Sequence, residues 1–278
     1  MDTTPDEDIL AHYAEGIEAD RLSGRGGIEF ERTKSIIERT LPMERCCVYD
    51  IGGGPGEYAF WLSSMGHEVH LMDVVPLHIE QAGARSNNKS VALASIEVGD
   101  CRSLPRSSET VDVVLLLGPL YHLHERADRI ACLSEALRVL KPGGVVIAAA
   151  ISRFASALDG IVRGLLDNPD FTAIVNEDLR SGRHQNRARH PGFFTTAYFH
   201  TPDEFLDEVA EVGFRGCNLL AVEGPAWLTG LSLSDCSDQG RERFFELLGR
   251  IESEPSLMGA SAHFVCVGRK SELAVGSV

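Results

Sequence analysis

The sequence lacks the features of a membrane-spanning or secreted protein. Among its 278 residues, no apolar run approaches the roughly 20 residues that cross a bilayer. The first residues, MDTTPDED, are acidic and contain neither the basic start nor the apolar core of a signal peptide. Internal repeats and low-complexity tracts are also missing. With 44% hydrophobic and 24% charged residues, the sequence predicts a globular protein with a large core.

Basic residues are scarce. The 26 Lys and Arg residues face 41 Asp and Glu residues, which gives a net charge of −15. Without a basic tract, nucleic acid and anionic membrane surfaces are poor candidates as partners. None of the seven cysteines forms a C-x-x-C motif. An odd number of cysteines without a secretion signal predicts reduced thiols and a cytoplasmic location. The oligomeric state stays open.

One glycine-rich stretch organises the rest of the chain. An apolar run, Cys46 to Ile51, predicts a short buried strand, and four glycines occupy the next five positions. A helix-like pattern then starts at Tyr58. A strand, a glycine turn and a helix in this order bring a ligand close to bare backbone. They also direct the unpaired N–H groups of the helix N-terminus at that ligand.

The glycines alone do not identify the ligand. The segment from Gly54 to Ala59 fits the G-x-G-x-x-[GA] fingerprint of dinucleotide-binding enzymes. The spacing of Gly52, Gly54 and Gly56, with Asp50 two residues earlier, fits the first motif of S-adenosylmethionine (SAM) methyltransferases equally well. A tight turn without a ligand is the third interpretation, although such a turn needs only one or two glycines.

Strand and helix patterns alternate along most of the chain. Pro76 begins a predicted helix, a second covers 126–140, and a third follows Thr201 with an N-cap and a capping box. Such alternation predicts a doubly wound parallel sheet with ligands at the carboxyl ends of its strands. The predicted strands cover residues 46–51, 68–73, 91–98, 111–117, 145–150, 214–222 and 262–268.

A single domain with two insertions is expected. Residues 1–44 are predicted to form a helical cover and 45–150 the ligand-binding core. The alternation stops over 151–200, and an insertion after the fifth strand would lie over the ligand end of the sheet as a lid. Residues 201–278 complete the core and contain a second insertion at 224–258.

Asp73 ends the second predicted strand, 17 residues after Gly56. Both candidate cofactors need a carboxylate there, because it accepts hydrogen bonds from the ribose hydroxyls. The alternative is that Asp73 caps the following helix. Val74, Val75 and Pro76 intervene before that helix, which favours ribose binding.

Taken together, these motifs resemble class I SAM-dependent methyltransferases, in particular the ubiquinone/menaquinone-methyltransferase-like group. The segment Asp50 to Gly56 looks like motif I, and Asp73 resembles the ribose acid of the second motif. Gly99-Asp100-Cys101 is similar to the third motif, Asp112 to Leu117 to the fourth, and Leu140 to Val145 to the approach to strand five. Gly53 departs from the pattern, because Cys or Ser often stands there.

The resemblance implies a Rossmann-like, seven-stranded sheet with an antiparallel last strand and S-adenosyl-L-methionine as the cofactor. The glycines would lie along the methionine moiety, Asp73 would bind the ribose, and Leu117 would face the methionine part. Asp100 and Cys101 would meet the adenine. The complete set of implied cofactor-binding residues is Asp50, Gly52, Gly54, Gly56, Asp73, Val74, Asp100, Cys101 and Leu117.

Catalysis of methyl transfer depends mainly on positioning, and a general base is optional. His122 and His200 are the predicted catalytic residues, with His124 as a further candidate, because a histidine titrates near neutrality. Each of them is alternatively a structural or surface histidine. A metal is not expected, since His-x-His on a loop without clustered acids is a weak ligand set.

Candidate substrate residues are fewer. Tyr121 and Tyr198 offer aromatic faces, which favour a cationic sulfonium or ammonium. The resemblance adds Tyr13, because the N-terminal helices of related enzymes close over the cofactor; an aromatic of the core is the alternative for this residue. Arg183 belongs to a basic cluster that could hold a substrate carboxylate or phosphate, although a solvated loop is the plainer interpretation. The other members of this cluster are Arg180, Arg187 and Arg189.

The sequence therefore predicts a cytoplasmic enzyme that methylates oxygen or nitrogen of a small molecule, without a nucleic acid or membrane partner. Carbon methylation of a quinone-like or secondary metabolite is the first alternative. A non-catalytic SAM-binding protein, a macromolecular methyltransferase and a nicotinamide oxidoreductase are the others.

Overall fold

The computed structural model describes residues 27–88, 91–187, 190 and 192–272. The predicted start of the helical cover, with Tyr13, lies outside the described residues. No helix in the described part is both long and apolar enough to span a membrane. The helices are α1 Gly27–Thr40, α2 Glu57–Ser64, α3 Pro76–Asn88, α4 Arg126–Val139, α5 Ala155–Arg163, α6 Pro169–Ser181, α7 Pro202–Glu211, α8 Asp238–Ile251 and α9 Pro255–Met258.

A twisted, mostly parallel sheet forms the centre of the fold. Its strands are β1 Cys47–Ile51, β2 Glu68–Asp73, β3 Ser95–Val98, β4 Val111–Leu116, β5 Leu140–Ser152, β6 Arg183–His184, β7 Ala197–His200, β8 Arg215–Ala221 and β9 His263–Arg269. Parallel neighbours run in the order β3, β2, β1, β4 and β5. Strand β9 pairs antiparallel with both β5 and β8. The predicted Rossmann-like sheet with an antiparallel last strand is confirmed.

Both faces of the sheet are covered, as the apolar strands require. On one face, Ile36 and Ile37 of α1 pack with α2 and α3 against Val48, Leu115 and other alternate residues of the strands. On the other face, Leu133 of α4 and Phe205 of α7 belong to the second large cluster. Since side chains alternate along a strand, this division assigns each strand residue to a face.

The insertion after β5 differs from the prediction. Strand β5 continues to Ser152, and β7 pairs parallel with its last two residues, Ile151 and Ser152. Strand β6 then pairs antiparallel with β7. The insertion is therefore woven into the carboxyl edge of the sheet, which brings the number of strands in the described sheet to nine, instead of the predicted seven.

Local signals explain most helix boundaries. The Thr201 side chain accepts a hydrogen bond from the Glu204 amide, and the Glu204 carboxylate accepts one from the Thr201 amide, as the predicted capping box requires. Helix α6 was not predicted. Its N-cap is Asn168, whose side chain accepts bonds from two amides, with Pro169 at the first helical position. Asn-Pro often interrupts a helix, but here it begins one.

Candidate functional site

The glycine loop lies where β1, β2 and β4 end. Gly52, Gly54 and Gly56 all have positive φ angles, of 68°, 58° and 90°, which L side chains rarely adopt. The Gly52 amide donates to the carbonyl of Met72 at 2.7 Å and so ties the loop to β2. A Cβ on Gly52 would lie 2.8 Å from Pro119 Cδ, in the segment after β4. The loop therefore fits its neighbours only as glycine.

Asp73 holds the loop from the end of β2. Its Oδ2 accepts the Gly54 amide at 2.8 Å, and its Oδ1 accepts the Val75 amide at 2.8 Å. Nδ1 of His78 lies 3.2 Å from Oδ1. A carboxylate offers about four lone-pair sites, so Oδ2 retains capacity for another donor. His78 was missed by sequence reasoning, because nothing in its local pattern separates it from an ordinary helix residue.

Asp50 is the most unusual acid of the site. Its side chain is fully buried, and neither carboxylate oxygen has a hydrogen-bond partner among the described residues. Burial and repulsion from Asp73 raise its pKa to about 7. The backbone amide of Ala59, whose geometry falls short of an ordinary hydrogen bond, lowers it by less. A buried carboxyl group of this kind favours a neutral state, or the approach of a cation that compensates its charge.

The structure explains the departure from the motif at Gly53. A Cβ there would lie 2.5 Å from Oδ2 of Asp50 and 2.6 Å from Cδ1 of Leu71. Such distances are far below van der Waals contact, so a serine or cysteine would displace the Asp50 carboxylate. The glycine at this position follows from where Asp50 lies, which the sequence alone does not reveal.

The remaining predicted cofactor residues follow β2, β3 and β4. Val74 is half-buried beside Val75. Asp100 accepts three hydrogen bonds from the Arg102 side chain, and these lower its pKa although burial opposes them. Cys101 is buried in the larger core cluster. Leu117 packs against the cluster on the α1 face. All four lie at the carboxyl edge that carries the glycine loop.

An aromatic cluster adjoins the glycine loop. Tyr121 packs with Ile151, Phe194 and Phe199, and the ring of His122 lies between Tyr121 and Phe194, at centroid distances of 4.7 and 6.5 Å. A Cβ on Gly118 would lie 2.8 Å from the Gly52 carbonyl oxygen and 3.8 Å from the Tyr121 hydroxyl. The exit of β4 therefore connects the loop to apolar residues of the insertion. Phe194 and Phe199 were not predicted.

His200 is a correction to the predicted catalytic pair. Its side chain is 0% exposed, and its Nε2 lies 3.4 Å from Glu208 Oε2. Burial lowers its pKa more than the bond to Glu208 raises it. Full burial and the contact with Glu208 favour a structural role for His200 over the predicted catalytic one. The capping residue Thr201 follows it, and no local pattern indicates this burial.

Tyr198 and the predicted basic cluster are engaged within the protein. The guanidinium of Arg129 lies 3.7 Å from the centre of the Tyr198 ring, and the Tyr198 hydroxyl accepts a bond from Arg153 at 3.3 Å. Arg183 forms an ion pair with Glu125 at 2.8 Å. Arg180 pairs with Glu177, and Arg187 donates to Gln185; Arg189 lies outside the described residues.

Comparison with known proteins agrees with this arrangement. A family model described as a methyltransferase domain matches residues 48–144. The uncharacterized methyltransferase YodH of Bacillus subtilis is 28% identical over 140 residues, which is 50% of this chain and 57% of that protein. A ubiquinone biosynthesis O-methyltransferase of Cereibacter sphaeroides is 26% identical over 232 residues, 81% of this chain and 83% of that protein.

Solved structures share the fold. A SAM-dependent methyltransferase of Methanosarcina mazei has a TM-score of 0.58 at 18% identity, over 85% of this chain and 97% of that one. A SAM-dependent methyltransferase of Thermotoga maritima, described as a possible histamine N-methyltransferase, has a TM-score of 0.58 at 17% identity. That alignment covers 95% of this chain and 99% of the other.

Proposed function

Since the chain is a class I SAM-dependent methyltransferase, we propose that it transfers the methyl group to oxygen or nitrogen of a small-molecule acceptor. Oxygen is the first choice, because the relative aligned over most of both chains is a ubiquinone biosynthesis O-methyltransferase. The net charge of −15 opposes a nucleic acid substrate. Carbon methylation stays the alternative.

The residues at the carboxyl edge fit the cofactor chemically. When bound, SAM supplies a methyl group on a positively charged sulfur, activated for in-line transfer. Asp50, whose buried oxygens have no hydrogen-bond partner within the described part of the chain, suits the ammonium of the methionine part. Asp73 retains an acceptor site on Oδ2 for a ribose hydroxyl. The proposed set remains the three glycines with positive φ, Asp50, Asp73, Val74, Asp100, Cys101 and Leu117.

The observation that carries the acceptor proposal is the aromatic cluster beside the glycine loop. Tyr121, Phe194 and Phe199 form a small apolar surface that suits a planar or apolar acceptor. His122, within this cluster, is proposed to take the proton from an acceptor hydroxyl or amine. The insertion at 151–200 supplies two of these aromatics, so we assign acceptor selection to it.

Binding and turnover measurements test the proposal in turn. Calorimetry with S-adenosylhomocysteine should show micromolar binding to the wild type and at least about tenfold weaker binding to Asp73→Ala, since one carboxylate–hydroxyl bond is worth about 1.5–3 kcal/mol. Tritium-labelled methyl SAM should then label members of a panel of phenols, catechols and amines. Mass spectrometry and NMR identify the methylated atom.

His122→Gln provides the catalytic test, with His124→Gln as the matched control. The first should lower kcat about 10²–10⁴-fold without changing binding of S-adenosylhomocysteine, and the second should leave both near the wild-type values. Methylation at carbon, or equal loss in the two variants, would contradict the proposal.

A further inference from the structure

Three side chains outside the proposed site converge at the same edge of the sheet. Glu29 lies in α1, Glu223 follows β8, and His263 begins β9. Each offers one ligand atom, and these atoms lie within 4.8 Å of one another. His263 is paired in register with Ile151, at the carboxyl end of β5. No step of the proposed methyl transfer uses this group.

The cluster lies on the α1 face of the sheet. His263 and Val265 are two residues apart in β9, so their side chains point to the same face of the sheet. Val265 packs with α1 in the core cluster of that face. Neighbouring strands are about 4.8 Å apart, and β5 separates β9 from β4. The cluster therefore lies about 10 Å across the sheet from the end of β4.

Glu223 is held rigidly in place. Its side chain is buried, with 4% exposure. Oε1 lies 2.6 Å from His263 Nδ1. Oε2 accepts the His263 amide at 3.0 Å and the Ser261 hydroxyl at 3.1 Å. The bonds from the His263 amide and the Ser261 hydroxyl orient the Glu223 carboxylate before any ligand arrives, as the supporting groups of metal sites do.

Arg32, one helical turn after Glu29, anchors α1 to the rest of the fold. The Arg32 side chain is 2% exposed and donates to the carbonyl of Val222 at 3.1 Å and to Glu252 at 2.5 Å. Arg39 also pairs with Glu252, at 2.6 Å. These contacts hold the helix that carries Glu29 against the segment that carries Glu223.

We propose that Glu29, Glu223 and His263 bind one Zn²⁺ ion. Imidazole nitrogen and carboxylate oxygen are ordinary zinc ligands with bonds of about 2.0–2.2 Å, which separates ligand atoms in a tetrahedral site by about 3.4 Å. The ligand atoms lie within 4.8 Å of one another, so the half-buried Glu29 moves inward. Glu223 Oε1 and His263 Nδ1 separate from their present 2.6 Å as the ion replaces the proton between them. Three protein ligands leave a fourth position for water or another oxygen ligand.

A second group, Cys47, Glu68 and His70, has the same spacing but is a weaker candidate. Its glutamate, Glu68, is exposed, whereas Glu223 is buried. Burial raises the pKa of the Cys47 thiol, which opposes the thiolate that a metal needs. This group provides the control for the experiment.

Binding of Zn²⁺ does not depend on the proposed function, because its proposed protein ligands are side chains of this chain and include neither SAM nor an acceptor. Coordination of an acceptor oxygen at the fourth position would rest on that function. Metal binding without SAM or acceptor therefore tests the site by itself, and its failure would leave the methyltransferase proposal untouched.

The test uses tag-free protein that has been stripped with a chelator. Zn²⁺ is titrated by calorimetry, and Co²⁺ by visible absorption, into the wild type and the variants Glu29→Gln, His263→Gln and His70→Gln. We expect one Zn²⁺ per chain and tetrahedral Co²⁺ bands in the wild type and in His70→Gln. Glu29→Gln and His263→Gln should each weaken binding about tenfold or more.

Several results would overturn the site. These are a wild type that binds no Zn²⁺, binding that survives Glu29→Gln or His263→Gln within tenfold, and binding that is lost in His70→Gln. Circular dichroism checks the fold of each variant. If His263→Gln does not fold, Glu29→Gln decides alone, because Glu29 is a half-buried side chain on the surface of α1.

Discussion

Replacing Asp50 with asparagine should stabilise the protein at alkaline pH. The carboxyl group is fully buried without a hydrogen-bond partner among the described residues, and its pKa rises from 3.8 to about 7. An acid whose pKa is raised in the folded state does not lower the free energy of unfolding at pH values below its pKa in the unfolded chain. As pH rises from about 4 to 7, the free energy of unfolding falls, because only the unfolded chain ionises readily in this range.

The magnitude follows from the shift in the pKa of Asp50. A difference of about 3 pKa units at about 1.4 kcal/mol each gives about 4 kcal/mol at pH 8. At pH 5 the same calculation leaves about 1.5 kcal/mol. Asparagine has nearly the same shape and no charge. The stability of Asp50→Asn relative to the wild type should therefore increase by about 3 kcal/mol between pH 5 and pH 8.

Urea unfolding at the two pH values measures this difference directly. Asp73→Asn is the matched control at the same loop: its carboxylate accepts the amides of Gly54 and Val75, so its removal should destabilise. A wild-type to Asp50→Asn difference that is equal at pH 5 and pH 8 would refute the reasoning. A ligand ammonium beside Asp50 should also release about half a proton on binding at pH 7, because a group with a pKa of about 7 is half protonated there. Calorimetry in two buffers detects this release.

Three further substitutions test packing and charge. Gly53→Ala should cost about 1–3 kcal/mol by overpacking, because its Cβ would lie 2.5 Å from Asp50 Oδ2; Gly83→Ala, in helix α3 with no atom within 4 Å of the new Cβ, should instead gain about 0.5–1 kcal/mol. Burial alone would raise the pKa of Glu208, but bonds from Arg129 and His200 lower it to about 2. Glu208→Gln should therefore lower the free energy of unfolding by about 3 kcal/mol at pH 7, and this loss should shrink as pH falls from about 4.5 to 2. A loss that is independent of pH in urea unfolding would contradict the prediction.

Much of the site was predictable because its signals are local. The strand, glycine turn and helix around Gly52 are adjacent in sequence, and so are the Thr201–Glu204 cap and the apolar run of β4. In each case the backbone conformation depends on residues a few positions apart. The placement of Asp73 at the end of β2 follows from the same local pattern. The motifs also carry the resemblance from which the cofactor was predicted.

The errors concern residues whose surroundings come from distant segments. The position of His200 at the end of the insertion predicts an accessible base. Instead, α7 places Glu208 beside it, and the side chain is buried. Strand β7 joins the sheet through β5, which no local pattern near residue 197 indicates.

The sequence by itself determined the fold class and the glycine turn, since apolar periodicity, glycine spacing and caps act over a few residues, and its motifs carry the resemblance that predicted the cofactor. Only the tertiary structure decided that Asp50 is fully buried and that an aromatic cluster adjoins the glycine loop. It also brought Glu29 and His263, which are far apart in sequence, within 4.8 Å of Glu223. Burial and convergence depend on how sheet and helices pack, and that information is spread over the whole chain.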